Sequence, residues 1–307
     1  MPSVSSLEEA SELLAEAHEH GRRLRIGDDL TTDGLDRILE HEAGDLTCTV
    51  EAGIRLSQLS GELARHAQRL SLDPPGDPTI GALLACNLSG PLRHRFGAPR
   101  DLVLGVTLVL PDGTIASAGG KVVKNVAGYD LARLVCGSQG RLALIARASF
   151  RLHPLPKSSH TLLVEAGDDD TLARSVAALL RSQLEASAID VLHPGRLAIL
   201  FEGSPAAVES QTSAATSLLE DAGCLVTQCH KAAIWDESRA RQGAARGRLR
   251  FAPGDLASAL PLIDEAVIRP AAGVAYLPVT APDDTPPEVR RLEDAIRAQL
   301  DPNGVLA

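Results

Sequence analysis

The chain has 307 residues, a formal net charge of −10, 44% apolar residues and only seven aromatics, Trp235, Tyr129, Tyr276 and four phenylalanines. That length suits two compact domains with cores built from Leu, Val, Ile and Ala, and the acidic balance excludes nucleic acid and anionic membrane surfaces as expected partners. No apolar run approaches the ~18 residues of a membrane span.

The opening MPSVSSLEEASELLAEAHEH lacks the basic start and apolar core of a signal peptide. Its Ser6–Glu9 capping box precedes Leu7, Ala10, Leu13, Leu14 and Ala17 at helical spacing. Arg22–Ile26 reads as a short strand and Gly27–Thr32 as a tight connection. Leu46, Cys48, Val50 and Ala52 alternate as a half-buried strand. Leu56, Leu59, Leu63, Ala67 and Leu70 then make one helical face. Asp73-Pro-Pro-Gly76 is a loop, because proline fixes φ and removes a donor. The small residues Gly81, Ala82 and Ala85 in Thr79–Leu88 let a ring system approach backbone, or alternatively mark a tightly packed helix start. Leu102–Leu110 and Thr114–Ser117 form a hairpin around the turn Pro111-Asp-Gly113. Gly119–Gly128 is a long loop whose Lys121 and Lys124 meet either a ligand anion or plain solvent. Asp130 is placed to cap a helix over Leu131–Cys136. Gly137-Ser-Gln-Gly140 leads into a closing strand, Leu142–Leu152.

His153-Pro-Leu-Pro156 breaks the pattern and marks the expected boundary between domains 1–156 and 157–307. Strand 161–166, helix 171–186, strands 188–192 and 196–202, helix 206–222 and strand 224–230 follow. That is the β-α-β-β-α-β order of a ferredoxin-like unit. The basic stretch Arg239–Arg250 reads as a solvated helix and turn. A strand–helix–strand unit (249–251, 256–268, 274–279), a helix Pro287–Leu300 and the tail DPNGVL close the chain. The odd, scattered cysteines (Cys48, Cys86, Cys136, Cys224, Cys229) point to free thiols in a reducing cytoplasm. Cys224 and Cys229 lack CxxC spacing, so no metal or iron–sulfur site is expected on this chain.

Three stretches concentrate the glycines between apolar runs: DPPGDPTIGALLACNLSG (73–90), PRDLVLGVTLVLPDGT (99–114) and GGKVVKNVAGYDLARLVCGSQGRLALI (119–145). Rigidly framed loops with backbone N–H groups turned inward make a nest for a phosphate-bearing ligand. In order and spacing these stretches resemble the FAD-binding domain of the vanillyl-alcohol-oxidase-type (PCMH-type) flavoproteins, from Leu35 to Pro156. Within that family KNVAGYDL and GSQG are most similar to the E subunit of glycolate oxidase (glycolate dehydrogenase).

The resemblance implies an α+β chain. A PCMH-type FAD-binding domain of two α/β subdomains would be followed by the smaller α+β ferredoxin-like cap. It implies FAD held by Pro74, Pro75, Gly76, Thr79, Ile80, Gly81, Ala85, Asn87, Ser89, Gly128, Tyr129, Asp130, Gly137, Gly140 and Ile145. It further implies oxidation of glycolate or a similar 2-hydroxy acid to the 2-oxo acid, such as glyoxylate. The work would be done with a second FAD-binding catalytic subunit and an iron–sulfur subunit, in the cytoplasm, with the membrane engaged only through partners. The family's glycine-rich pyrophosphate loop is shortened here to Gly27–Thr32, where Asp28 and Asp29 would repel a diphosphate. A flavin-free scaffold subunit is therefore one alternative, and an independent FAD-dependent hydroxy-acid oxidase another. No catalytic base stands out. The nine histidines show no ligand spacing, and His94, between Arg93 and Arg95, lies nearest the cofactor segment.

Overall fold

A computed structural model describes residues 2–120, 130–229, 233–282 and 285–307. Helix α1 (Leu7–Glu19) starts at Ser6, whose hydroxyl accepts from Glu9 N–H at 3.1 Å. The return half of the capping box goes one residue upstream, because the Glu9 carboxylate accepts from the N–H and hydroxyl of Ser5. Strands β1 (Ile38–Glu42) and β2 (Thr47–Glu51) are followed by α2 (Leu56–Ala64) and the two-residue β3 (Gln68–Arg69). Three short helices come next: α3 (Ile80–Ala85), α4 (Arg93–Phe96) and α5 (Pro99–Leu102). The hairpin β4 (Val103–Val109) and β5 (Ile115–Gly119), then α6 (Leu131–Val135) and β6 (Leu144–Arg151), complete an antiparallel sheet of order β1-β2-β6-β4-β5. Alternate residues of β2, β4 and β6 (Val50, Val106, Ala148, Phe150) are fully or nearly fully buried with Leu59, Leu63, Ile80 and Leu84 from the helices.

Residues 22–26 form no strand. Leu24 and Ile26 make isolated bridges to Leu306 and Leu30, so the chain's end shapes this segment. The Asp301 carboxylate accepts from the N–H groups of Val305 and Leu306, both at 2.8 Å. That folds the two apolar side chains against α1.

Beyond β7 (His153–Pro154), which pairs with β3, the chain enters a second sheet. Its elements are β8 (Ser158–Glu165), α7 (Asp169–Arg181), β9 (Ala188–His193), β10 (Arg196–Gly203), α8 (Pro205–Asp221) and β11 (Leu225–Cys229). Strand order β11-β8-β10-β9 is the ferredoxin-like arrangement. Helix α9 (Ala233–Gly243) and strand β12 (Gly247–Arg250) follow, then the single turn α10 (Leu256–Ala259). β13 (Ala266–Arg269) and β14 (Val274–Leu277) extend the sheet to seven strands ending on β12, and α11 (Pro287–Leu300) comes last.

The long helix expected over 256–268 is thus a turn and a strand. Pro261 interrupts the helix, and β-branched Val267 and Ile268 pair with β9 instead. Nor is α9 solvated all round, because Ile234, Trp235, Ser238 and Gln242 are buried on its sheet-facing side. The two-stranded β3–β7 ribbon is tied to the second sheet by a part-buried bidentate pair, Arg69 to Glu202, at 2.7 and 2.8 Å.

Candidate functional site

Residues on and around helix α3 line two clefts. Thr79 caps it, with its hydroxyl accepting from Ala82 N–H. The N–H groups of Ile80 and Gly81 donate to the carbonyls of Ile54 and Ala52, at 3.0 and 2.6 Å. These three amides are therefore satisfied inside the protein, and the phosphate nest expected at this helix start is not built from them. The cause is close packing: a Cβ on Gly81 would lie 3.2 Å from that of Ala52. At the other end, Gly137 and Gln139 donate to the Leu84 and Ala85 carbonyls, so the GSQG turn caps α3.

The first cleft, of about 280 Å³, is walled by small residues of α3 and the facing loop: Gly81, Ala82, Ala85, Gly140 and Ala143. Thr31, Thr32 and Thr79 bring hydroxyls to it, and Arg55 and Asp33 bring the charges. Arg55 is held by the Asp77 carbonyl at 2.9 Å. The shortened Gly27–Thr32 segment forms its rim without presenting Asp28 or Asp29. The Asp29 carboxylate accepts from Arg25 N–H at 2.8 Å, and Asp28 lies 3.8 Å from the Arg25 guanidinium. The repulsion expected from these two aspartates is reduced because both fold back onto Arg25, although the segment stays short and Asp33 lines the cleft.

Of the sequence-predicted residues, Thr79, Gly81, Ala85, Gly140 and Ile145 meet in this cleft. Pro74 and Ile80 are buried, Ile80 in the core of the first sheet. Gly76 is exposed with φ +71°. Asn87 adopts φ +48° and accepts from Arg100 N–H. Asp130 caps α6 by accepting from Arg133 N–H at 3.1 Å, and with Gly137 it lines a separate cavity beneath α11. Gly128, Tyr129, Lys121 and Lys124 lie outside the described residues.

The second cleft, of about 500 Å³, opens where Pro75 and Leu88 face the second sheet. Its far wall is Gln242, Arg246, Arg248, Arg250 and Tyr276. Beneath it runs a buried polar network. Arg269, 3% exposed, donates to Asp190, Gln242, the Tyr276 hydroxyl and the Ser89 carbonyl. Gln242 also donates to the Ser89 carbonyl, at 2.8 Å, so the end of the 73–90 stretch is held by the second sheet. Asp73 accepts from Leu92 N–H at 3.0 Å, and burial pushes its carboxyl up to about 7. Burial lowers His94, which sits on α4 and lines neither cleft. Burial also raises the thiols of Cys86 and Cys136, the latter to about 12, which keeps them protonated and poor nucleophiles.

Sequence reasoning missed Arg55, Arg246, Arg248 and Arg250. The last three were legible as a period of two, which places them on one face of a strand.

Comparison with known proteins bears on this geometry. The family described as "FAD binding domain" matches residues 29–119, the stretch that supplies α3 and most of the first cleft. Over that stretch, about a third of its length, the chain is similar to FAD-binding domains. Glycolate oxidase subunit GlcD of Bacillus subtilis is 30% identical over 193 residues, covering 61% of this chain and 40% of that protein. Glycolate oxidase subunit GlcE of Escherichia coli is 37% identical over 128 residues, covering 41% of this chain and 37% of that protein. The chain thus spans less than half the length of either relative. The solved structure of alkyldihydroxyacetonephosphate synthase superimposes with a TM-score of 0.74, covering 98% of this chain and 74% of that one. At 15% identity that likeness is one of fold.

The residues present suit FAD. Gly81, Ala82, Ala85, Gly140 and Ala143 leave room for an extended ligand, and the threonine hydroxyls and Arg55 offer hydrogen bonds to a diphosphate, with Asp33 the one carboxylate among the described lining residues. Among the described residues no helix is long and apolar enough to cross a membrane, and no group of His, Cys, Asp and Glu could hold a metal.

Proposed function

We propose that the chain is the FAD-binding subunit of a glycolate-oxidase-like complex that oxidises a 2-hydroxy acid to the 2-oxo acid. The observation that carries this reading is that the one stretch 73–90 contributes to both clefts. The small-residue cleft along α3 lies in the FAD-binding domain, and a cleft lined by three arginines opens beyond its Pro75–Leu88 edge. FAD, when bound, accepts the two electrons of the alcohol oxidation. Thr79, Gly81, Ala85, Gly140 and Ile145 hold it, and Arg55 and the threonine hydroxyls orient its diphosphate. The arginines of the second cleft hold the substrate carboxylate and so orient the hydroxyl-bearing carbon. Pro75 and Leu88 exclude water from one side.

The division into a flavin domain (1–156) and a cap (157–307) belongs to this proposal, following the change of sheet after β6. So do the closer likeness to the E subunit, the second FAD-binding subunit, the iron–sulfur subunit and a place at the inner face of the cell membrane through those partners. The relatives named as glycolate oxidase subunits support the multi-subunit part of this reading.

Anaerobic mixing of the FAD-loaded chain with glycolate, alone and with co-expressed partner subunits, tests the reading. Bleaching of the flavin bands supports it. A flavin that stays oxidised in both preparations, against glycolate and lactate alike, overturns it.

A further inference from the structure

Gln242 is where the second cleft meets the cofactor stretch. It sits on the last turn of α9 and lines the cleft, yet it is only 9% exposed. Its neighbour Gly243 lies against the other end of the stretch, where a Cβ would come 3.1 Å from that of Pro75. The end of α9 therefore touches the 73–90 stretch at both Pro75 and Ser89.

The orientation of the Gln242 amide is fixed by chemistry. Arg269 approaches one of its terminal atoms at 2.7 Å, and a guanidinium can only donate, so that atom is the oxygen. The nitrogen then faces the Ser89 carbonyl at 2.8 Å. A primary amide carries two N–H donors. One goes to Ser89, and the other has no partner among the described residues. The positive charge on the amide oxygen polarises the group and makes both N–H groups stronger donors. A spare donor on a nine-tenths buried side chain in a cleft wall is available to whatever enters that cleft.

Burial of Ser89 does not by itself call for a glutamine. Its carbonyl also accepts from Arg269 at 3.3 Å, so an apolar residue at 242 would leave that oxygen partnered. What the glutamine adds is a connection. Ser89 follows directly on the end of α3, where the N–H groups of Asn87 and Leu88 donate to the Leu84 and Leu83 carbonyls, both at 2.9 Å. A change at the Ser89 carbonyl is thus carried to the helix whose Gly81, Ala82 and Ala85 wall the first cleft.

We propose that Gln242 donates its second N–H to an oxygen of the molecule in the second cleft and couples that molecule, through the Ser89 carbonyl, to α3 and the first cleft. This rests on the reading that a carboxylate enters the second cleft, and it adds to that reading a positioning residue and a route between the two clefts.

Oxalate is a suitable probe, because it offers carboxylate oxygens and has no carbon–hydrogen bond to oxidise. Titration calorimetry on the full chain reads its affinity. Hydrogen exchange of residues 80–90, followed by mass spectrometry with and without FAD, reads the coupling. Saturating oxalate should slow that exchange at least about threefold in wild type. Gln242→Met should weaken oxalate binding about tenfold and, at saturating oxalate, abolish the slowing. Gln242→Glu keeps an acceptor for Arg269 and has no donor; it should abolish the slowing too, and it carries the test if methionine disturbs the fold. A residue that only packed would change exchange equally with and without oxalate. No slowing in wild type, or the wild-type slowing in the folded variants, overturns the proposal. Gln242-dependent slowing in a chain that retains no FAD would sink the flavin reading alone. Retained FAD without such slowing would sink this inference alone.

Discussion

Replacing Arg269 by methionine probes how the second sheet is fastened to the cofactor segment. Arg269 donates to Asp190 at 3.3 Å, Gln242 at 2.7 Å, the Tyr276 hydroxyl at 3.3 Å and the Ser89 carbonyl at 3.3 Å. Asp190 has no exposed surface and would keep only the Ser238 hydroxyl as partner. Removing one member of a buried ion pair costs about 3–5 kcal/mol, because the other charge is left uncompensated in a poor solvent. The Ser89 carbonyl suffers less, since Gln242 still donates to it at 2.8 Å. Arg269→Met should therefore lower unfolding free energy by about 3–5 kcal/mol, a large part of the ~5–15 kcal/mol typical of a folded protein. Asp190→Asn combined with Arg269→Met should recover about 1–3 kcal/mol of that loss, the usual size of coupling between contacting residues. Urea titration followed by Trp235 fluorescence reads both, since Trp235 is buried on α9 beside this network. A single variant that costs less than about 1 kcal/mol would refute the assignment of a buried, dependent charge pair. So would a double variant no better than the single one.

Asp73 supplies a pH test. Burial raises its carboxyl from 3.8 to about 7, so the folded state binds the proton more readily than the unfolded chain. Stability from this group is therefore fully present below its unfolded value of 3.8 and is lost as pH rises from there to about 7, by up to about 1.4 kcal/mol per pH unit. Asp73→Asn keeps an acceptor for Leu92 N–H and should flatten that slope in urea midpoints between pH 4 and 7; an unchanged slope contradicts it. Gly90→Ala should be strongly destabilising, because its Cβ would sit 1.7 Å from the Asp73 carbonyl oxygen. Gly76→Ala, with φ +71° and nothing within 4 Å, should cost only about 1–2 kcal/mol of backbone strain; equal losses would refute the distinction. Arg69→Ala should cost about 3 kcal/mol in thermal or urea unfolding by leaving Glu202 part-buried and unpaired.

What was legible in the sequence follows from where local pattern and tertiary context agree. The alternation of β6, the Pro111-Asp-Gly113 hairpin and the β-α-β-β-α-β order all carried their own periodicity, and each element is present. Strand β1 gave no such signal, since its residues are mostly exposed and Leu39 points to solvent. Residues 22–26 read as a strand yet take their shape from the chain's far end, a contact no local pattern encodes. The cofactor segment was visible from its glycines, but their roles differ. Gly81 and Gly90 permit close packing of protein on protein, so part of the glycine signal reflects the fold alone. Asp28 and Asp29 looked hostile to a diphosphate because residue type shows charge and not direction; their turn toward Arg25 needed coordinates. The arginine row on β12 was visible as a charge run, but its cleft arises only when Pro75 and Leu88 are brought against it.

The central claim, that FAD lies in the cleft along α3, is tested most directly by flavin retention in wild type and Ala82→Trp. Ala82 is exposed and lines the cleft, so an indole there fills the space without entering the core. After incubation with FAD and gel filtration, wild type should emerge with flavin absorbance and Ala82→Trp without it, at unchanged circular dichroism. Equal flavin content in the two proteins, or none in wild type, would contradict the account.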